Sequence, residues 1–226
     1  MVENDVVFGF EFSKAWNYEN GFYLTSHVSR LAKSIAHYEL YKKIVDLPGD
    51  IVEAGTFKGT SLIRFATFRE ILENQYSRKL ISFDIFGKFP EETSQAIDQD
   101  FIENFSAEAG EGISKEELES VLDKKGFSNY ELVRGNVLET IPKYKENNPQ
   151  LRISLLHIDV DVYDATLCCL KNLYERVVQG GLIVFDDYNV IHGATKAVDE
   201  FMCDNNIKAP IRKLPYYNRP TYMFKV

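Results

Sequence analysis

Short apolar runs alternate with helix-length segments along most of this chain of 226 residues. The apolar runs are rich in β-branched residues and lie at 50–55, 80–86, 129–135, 153–161 and 182–188. The helix-length segments lie at 59–74, 164–178 and 193–205. Short apolar strands that alternate with helices are typical of a parallel sheet covered on both faces, because crossover helices pack on each side. The sequence therefore predicts an α/β fold.

The two ends of the chain differ from this pattern. Residues 214–226 (LPYYNRPTYMFKV) predict two aromatic-rich strands around an Asn-Arg-Pro turn, added antiparallel at the sheet edge. Apolar residues within 22–47 recur at near-helical spacing, which predicts a mostly helical lead-in. A mass of 26.0 kDa suits one domain. We therefore expect residues 1–226 to form a single domain, with 1–48 as its lead-in or cap.

A long acidic segment at 91–128 separates the second and third apolar runs. Within it, Ser114 and Glu117 have the spacing of a capping box, and Gly126 is placed to end the helix that the box begins. A connection of this length with its own helices is typical of a lid or binding insert. The alternative is a pair of surface helices without a function.

Composition excludes several classes of protein. The net charge of −8 and the pI near 5.1 argue against broad contact with nucleic acid or an anionic membrane. No apolar run approaches the ~20 residues of a membrane span, and the first residues lack the basic charges of a signal peptide. Two of the three cysteines, Cys168 and Cys169, are adjacent, so a disulfide framework is not expected. These features predict a cytoplasmic enzyme or binding domain.

A glycine-containing turn at 52–61 follows the first apolar run and begins a helix. Gly55 allows a tight turn, and Gly59 allows the backbone to approach a ligand at the helix N-terminus. The G-x-x-x-G spacing differs from the dinucleotide fingerprint, which weakens a pyrophosphate-binding interpretation. Glu53 before the turn could bind an ammonium group, and Asp84 at the end of the second run could accept both hydroxyls of a ribose. An amino acid joined to adenosine describes S-adenosylmethionine.

Aspartates follow the two most apolar runs, where open α/β sheets bind ligands. Asp159 and Asp161 alternate on one strand face with His157, whereas Asp186 and Asp187 are consecutive and cannot share a face. Carboxylates that converge at neighbouring strand ends repel one another unless a cation joins them. Hard oxygen ligands suit magnesium, which predicts an Mg²⁺ site of Asp159, Asp186 and Asp187. The alternative is that Asp186 and Asp187 serve as helix-capping and turn residues. We expect His157 to be buried against a backbone carbonyl.

Four motifs in order, GTFKGTS, SFDIFGKFP, HIDVDVYDAT and LIVFDDY followed by KAVDEF, resemble the macrocin-type O-methyltransferases. The likeness covers most of residues 36–226. YENGFY at 18–23 and the segment 36–55 are most similar to a branch described as dTDP-6-deoxyhexose 3-O-methyltransferase. The resemblance implies a Rossmann-like class I methyltransferase with a mostly parallel seven-stranded sheet and an antiparallel C-terminal edge strand. It also implies a cytoplasmic enzyme of natural product biosynthesis that uses S-adenosylmethionine and Mg²⁺ to methylate sugar hydroxyls.

The resemblance also implies residue roles. Asp159, Asp186 and Asp187 would hold the metal, and Asp159 would also be the base. His192 stands where antibiotic-sugar members carry a proline, so it remains a second candidate base. The residues expected around the methyl donor are Glu53, Gly55, Thr56, Gly59, Ser61, Asp84, Asn136 and Asp159.

The acceptor, on this view, is a small molecule, either a sugar or a nucleotide sugar, and not a nucleic acid or a membrane. Four basic residues are candidates for binding a nucleotide diphosphate: Arg30, Lys33, Arg212 and Arg219. A catechol or another vicinal diol is an alternative acceptor. A non-catalytic domain that binds S-adenosylmethionine for a partner subunit is a second alternative, and a nicotinamide oxidoreductase is a more distant one. The aromatic N- and C-terminal segments are candidate faces of a homodimer or higher homo-oligomer.

Overall fold

A computed structural model of the chain describes residues 6–89 and 95–226. The strands are β1 (Val6–Val7), β2 (Phe10–Glu11), β3 (Asp50–Ala54), β4 (Leu80–Asp84), β5 (Tyr130–Arg134), β6 (Ile153–Ile158), β7 (Val177–Phe185), β8 (Arg212–Leu214) and β9 (Tyr217–Phe224). The α-helices are α1 (Ala15–Thr25), α2 (Val28–Tyr41), α3 (Thr60–Leu72), α4 (Ala96–Ala109), α5 (Lys115–Lys124), α6 (Val137–Asn147), α7 (Tyr163–Leu173) and α8 (His192–Asp204). Short 3₁₀ helices lie at Phe12–Lys14 and Tyr174–Arg176.

Seven strands form one sheet in the order β5-β4-β3-β6-β7-β9-β8. The first five of these strands pair in parallel, whereas β9 pairs antiparallel with both β7 and β8. The predicted α/β fold, a mostly parallel sheet with an antiparallel C-terminal edge, is confirmed. Strands β3 and β6 are adjacent at its centre, so the residues that follow them meet at one edge.

Successive side chains of the central strands pack into two hydrophobic cores, one on each face of the sheet. Val52 and Leu156 face a core that includes residues of α6, α7 and α8. Their neighbours Ile51 and Leu155 face the opposite core, which includes residues of α2, α3 and α5. Successive strand residues point to opposite faces, and both faces are covered by helices, so the strands are apolar throughout.

The C-terminal turn differs from the prediction. Pro215 and Tyr216 form the turn between β8 and β9, and the Asn-Arg-Pro segment lies within β9. Lys213 pairs with Thr221 and Leu214 pairs with Tyr217, so the residues between those partners bulge out of the ladder. A proline lacks the N–H that a ladder needs, and Pro220 lies in this bulge, outside the β7–β9 pairs that begin at Thr221, where the missing N–H costs least.

Two helices also differ from the predicted pattern. The segment predicted as helical to residue 178 ends its α-helix at Leu173, and Val177 already begins β7. Helix α6 was not identified from the sequence, and it contains Pro142. Proline removes one backbone donor from a helix interior. Burial of Ile141 and Tyr144 in the core favours the helix nonetheless.

The predicted lead-in is helical, as α1 and α2, and α1 has no buried residue. The insert contains α4 and α5, and α5 begins with the predicted capping box of Ser114 and Glu117. Gly126 follows α5 at a φ of 73°, as a helix-ending glycine should. The first four insert residues, 91–94, lie outside the described residues. Within the described ranges, no helix is both long and apolar enough to cross a bilayer.

Candidate active site

A cleft of about 850 Å³, including space open to solvent, lies where β3, β4 and β6 end. The glycine turn after β3 forms one wall, and Ile102 and Phe105 of α4 contribute apolar surface. Residues that line it and enter the argument below are Gly55, Phe57, Asp84, Asn136, Asp159 and Asp161. Part of the predicted insert therefore lines the cleft, and its action as a lid stays a prediction.

Gly55 lies where the ends of the two central strands, β3 and β6, approach each other. Its φ is 89°, a conformation that residues with a side chain rarely adopt. A Cβ at this position would lie 1.7 Å from the carbonyl oxygen of Asp159. The two strands are also bonded here, because the Asp159 N–H donates to the Ala54 carbonyl at 2.9 Å. The position of Asp159 therefore depends on the absence of a side chain at Gly55.

Asp84 braces the glycine turn. One carboxylate oxygen accepts hydrogen bonds from the backbone N–H groups of Thr56 at 2.7 Å and Phe57 at 2.9 Å. The other accepts from the N–H of Phe86 at 2.6 Å. An ionised carboxylate has about four acceptor sites, so one remains for a ligand in the cleft. The carboxylate was predicted at this strand end, and its bracing role was not.

The other predicted donor-binding residues are spread over a wider region. Asn136 lines the cleft and caps α6 by accepting from the Leu138 N–H at 3.0 Å. Gly59 has a φ of 77° and precedes α3, where an added Cβ would lie 2.7 Å from a Leu118 methyl group. Gly59 therefore makes room for α5, and its predicted role in ligand approach stays a prediction. Ser61 is buried in the first turn of α3.

Three aspartates form what we term the carboxylate centre: Asp159, Asp161 and Asp187. Each offers an oxygen, and these oxygens lie within 4.8 Å of one another. Asp161 has a φ of 63°, and its N–H donates to an Asp187 oxygen at 3.1 Å. The sequence placed Asp161 on the same face as Asp159 but did not assign it to the metal set. The Asp-x-Asp spacing was the signal that could have identified it.

Asp186, the third predicted metal ligand, makes different contacts. The Lys33 ammonium of α2 donates to its Oδ2 at 2.7 Å. Its Oδ1 lies 3.8 Å from Nε2 of His157, which is too long for a hydrogen bond. The structure therefore separates the consecutive aspartates, with Asp187 in the carboxylate centre and Asp186 beside it. Lys33 was predicted as a diphosphate contact, and the structure instead engages it with Asp186.

Glu53 is completely buried and is not among the described residues that line the cleft, and its predicted contact with the methyl donor stays a prediction. Its Oε1 is 3.0 Å from Nδ1 of His157, and both side chains are completely buried. The expectation that His157 bonds to a backbone carbonyl is wrong, because this carboxylate is its partner. His37 lies beside His157, with ring centroids 5.3 Å apart. Burial lowers the pKa of His37 well below its ordinary value, so this ring is neutral.

The carboxylate centre holds protons in the absence of a cation. Burial and the charge of Asp186 raise the pKa of Asp159 to about 7. Burial and the charge of Asp159 raise the pKa of Asp161 to about 8. The same two effects, burial and the neighbouring carboxylates, raise the pKa of Asp187 well above its usual range. Raised pKa values of this kind mark a site at which bringing anionic groups together is unfavourable without positive charge.

Asp186 is ionised instead. Although burial opposes ionisation, His157 and Lys33 hold the pKa of Asp186 below its ordinary value. Burial likewise disfavours a charged ring, but Asp186 and Glu53 raise the pKa of His157 to about 9. His157, Asp186 and Lys33 therefore form a line of alternating charge from β6 and β7 to α2, and Glu53 of β3 contacts the His157 end of this line.

The remaining candidates lie at the surface. His192 is the first residue of α8 and is exposed, and it is not among the described residues that line the cleft. Asp159 lines the cleft, so the geometry favours Asp159 over His192 as a base. The three arginines proposed for a diphosphate are exposed: Arg30, Arg212 and Arg219.

Comparison with known proteins gives consistent results. A family model described as macrocin-O-methyltransferase (TylF) matches residues 31–219. An 8-demethyl-8-(2,3-dimethoxy-alpha-L-rhamnosyl)-tetracenomycin-C 4'-O-methyltransferase of Streptomyces olivaceus is 28% identical over 175 residues, 74% of this chain and 63% of that protein. A demethyldecarbamoylnovobiocin O-methyltransferase of Streptomyces niveus is 29% identical over 69% of this chain and 59% of its own length. This chain thus spans about three fifths of the length of these curated relatives.

The fold has a solved counterpart. The crystal structure of CalS11, a calicheamicin methyltransferase, superposes with a TM-score of 0.75 at 26% identity. The superposition covers 93% of this chain and 85% of CalS11. The arrangement of strands and helices described above is therefore that of a known methyltransferase.

Proposed function

This chain belongs to the macrocin-O-methyltransferase family, and we propose that it transfers a methyl group from S-adenosylmethionine to a hydroxyl of a deoxysugar. The observation that carries the proposal is one cleft that combines the braced glycine turn with Asp159 and Asp161 of the carboxylate centre. The turn suits the methyl donor, and the carboxylates suit a metal that activates a hydroxyl. The names of the relatives, which include a rhamnosyl 4'-O-methyltransferase, support a sugar acceptor.

The residues that line the cleft suit the chemistry of S-adenosylmethionine. Asp84 retains an acceptor site for a ribose hydroxyl, and Asn136 lies on the same wall. Phe57 and Phe105 have ring centroids 5.3 Å apart and offer aromatic surface to an adenine. Asp159 supplies negative charge for a cationic donor. We propose these residues as donor contacts, with Gly55 shaping the turn.

The carboxylate centre suits Mg²⁺. Its three side chains present hard oxygen ligands, and their raised pKa values indicate a set that gains from a cation. Asp159 and Asp187 belong both to the ligand set predicted from the sequence and to this centre, so we propose them as ligands with Asp161. Asp186 would join only by releasing Lys33. A bound Mg²⁺ would lower the pKa of a coordinated hydroxyl and orient it.

The protein groups contribute positioning, proton transfer and exclusion of water. The braced turn holds the donor, and the carboxylate of Asp159 accepts the proton of the acceptor hydroxyl. Charge is lost as a sulfonium and an alkoxide react, so a dry cleft favours the reaction. Ile102 and Phe105 of α4 line the cleft, and their apolar side chains favour the exclusion of water from the bound substrates. Proximity of the two substrates supplies much of the remaining rate increase.

We propose a nucleotide-linked 6-deoxyhexose as the acceptor. The exposed arginines Arg30, Arg212 and Arg219 are available to a diphosphate, whereas Lys33 is engaged with Asp186. A cytoplasmic location and a homodimer or higher homo-oligomer remain predictions. Free cysteines support the first, and the exposed Trp16 of α1 supports the second.

Methyl transfer is expected from S-adenosylmethionine to dTDP-deoxysugars, and only in the presence of Mg²⁺. The assay incubates the protein with a panel of dTDP- and GDP-deoxysugars and with a catechol, in MgCl₂ or in EDTA, and detects products by mass spectrometry. Product from the catechol alone would show that the acceptor is a catechol and not a sugar. Donor binding without any product would support a non-catalytic domain, and full turnover in EDTA would contradict the metal assignment.

Stability in EDTA is expected to fall as the pH rises from about 4 to about 9. The folded state keeps protons on Asp159 and Asp161 up to pH values of about 7 and 8, whereas the unfolded chain loses them near 3.8. His157 acts in the same direction, because its stabilising charge is complete below 6.5 and is lost as the pH rises through about 9. The folded state binds more protons, so the free energy of unfolding decreases with pH.

Urea unfolding at pH 5, 7 and 9, in EDTA and in MgCl₂, measures this effect. Mg²⁺ should replace the protons of the carboxylate centre, so the stabilisation by MgCl₂ should grow with pH. Asp161→Asn removes one titrating group and should make the decline in EDTA less steep. Equal stability at all three pH values in EDTA would contradict the prediction.

A further inference from the structure

Lys33 extends from the lead-in helix to the edge of the carboxylate centre. Helix α2 buries Ala36, His37, Leu40 and Tyr41 against the sheet, which fixes the position of the turn that carries Lys33. The ammonium donates to Asp186 at 2.7 Å, and the lysine side chain is 22% exposed. A largely buried lysine paired with a largely buried carboxylate is a built contact and not a solvated surface charge.

The charge of Lys33 also acts on the carboxylate centre. Its Nζ lies 2.7 Å from Asp186, and Asp186 directly precedes Asp187, which belongs to that centre. Lys33 therefore supplies positive charge to the group of carboxylates that would attract a divalent cation.

Asp186 is held from both sides. Lys33 contacts one oxygen, and the other oxygen faces His157, which is itself bonded to Glu53. Within the described residues, this second oxygen has no hydrogen-bond partner. Asp186 follows β7 immediately before Asp187, so it lies next to the carboxylate centre without belonging to it. A free Asp186 carboxylate would be an additional anionic ligand at this place.

We propose that Lys33 is an internal cation that competes with Mg²⁺ for Asp186 and so sets the metal affinity of the centre. The proposal rests on the proposed metal site. With Lys33 in place, the ammonium neutralises one carboxylate and keeps it from the metal. For Mg²⁺ to bind Asp186, it then has to displace the ammonium. The lead-in helix thus contributes directly to the active site.

Lys33→Met tests this directly, because methionine keeps the length of the side chain and removes the charge. Isothermal titration with MgCl₂ should give a Kd at least about tenfold lower than that of the wild type, since a close unit positive charge is removed. Lys33→Arg keeps the charge and should leave the Kd within about threefold. Lys42→Met is the matched control, because Lys42 lies at the end of the same helix, 45% exposed, and pairs with Glu39 at 3.1 Å.

A double-mutant cycle assigns the effect to Asp186. In an Asp186→Asn background, Lys33→Met should change the Mg²⁺ Kd by less than about threefold, because the shared carboxylate is absent. An equal effect in both backgrounds would overturn the competition at Asp186.

A measurement on the wild-type protein covers the case in which Lys33→Met does not fold. Reductive methylation of lysines, read by mass spectrometry, should modify Lys33 faster in MgCl₂ than in EDTA, while Lys42 should react equally in both. An unchanged rate at Lys33, or a Kd that is unchanged or higher in Lys33→Met, would overturn the proposal. Failure of every variant to bind Mg²⁺ would also overturn it. Methyl transfer in EDTA would then show whether the proposed activity survives without the metal.

Discussion

Asp159→Asn is expected to lower kcat/KM for methyl transfer by about 10³-fold or more, with little change in the fold. Loss of a positioned base costs about 10²–10⁴-fold in rate, and this substitution also removes an anionic ligand from the proposed metal site. Asparagine has nearly the same shape as aspartate. Because Asp159 is one of several cleft residues, the Kd for S-adenosylmethionine should stay within about threefold, whereas the Mg²⁺ Kd should rise.

Steady-state kinetics, with donor binding and metal binding measured by calorimetry, separate these effects. Asp204→Asn is the matched control, because Asp204 ends α8 at an exposed position. His192→Asn tests the other candidate base and should retain most of the activity. Wild-type turnover in Asp159→Asn would remove both the base and the ligand assignments. A loss in His192→Asn as large as that in Asp159→Asn would assign the base to His192.

The sheet and the place of the site could be predicted because both follow from local patterns. Apolar runs of strand length alternate with helices, which indicates a parallel sheet, and the chemistry of such sheets lies at the carboxyl ends of their strands. Asp84 and Asp159 each follow such a run, so their placement at one edge needed no information about packing. Helix α6 was missed because Pro142 disturbs the local pattern, while the packing that favours the helix is distant in sequence.

The contacts of the individual carboxylates could not be predicted in the same way. Lys33 reaches Asp186 across 153 positions of sequence, and Glu53 reaches His157 across 104. Such pairs depend on how α2 packs on the sheet and on which strands are neighbours. Asp161 joins the centre through a left-handed backbone conformation that an alternating strand pattern does not include. The sequence therefore placed these carboxylates at one end of the sheet, as the structure does, but it did not give every contact among them.

Gly55→Ala is expected to destabilise the fold by about 4 kcal/mol, near the upper end of the usual range for one substitution. Two costs combine. The first is a side chain at a φ of 89°. The second is a Cβ placed 1.7 Å from the Asp159 carbonyl oxygen and 2.5 Å from its carbonyl carbon. Backbone atoms cannot move aside as a flexible side chain can, so the ends of β3 and β6 must separate.

Gly126→Ala is the matched control for the first cost. Gly126 has a φ of 73°, and an added Cβ there would meet nothing within 4 Å. Its substitution should therefore cost only the left-handed conformation, about 1 kcal/mol. Chemical unfolding of both variants gives the contribution of the clash by difference. A Gly55→Ala variant as stable as Gly126→Ala would show that the strand ends can part at little cost.

The steric clash in Gly55→Ala should lower the activity of the folded variant, in addition to any loss that comes from lower stability. Separation of β3 from β6 moves the backbone of Asp159, and a displacement of about 1 Å at a catalytic group can cost about 10²-fold in rate. Gly55→Ala assayed well below its Tm should therefore still lose activity, while Gly126→Ala should lose none. Full activity in folded Gly55→Ala would mean that the glycine serves folding only. A loss in folded protein would show that the close approach of these two strands is what places Asp159 for catalysis.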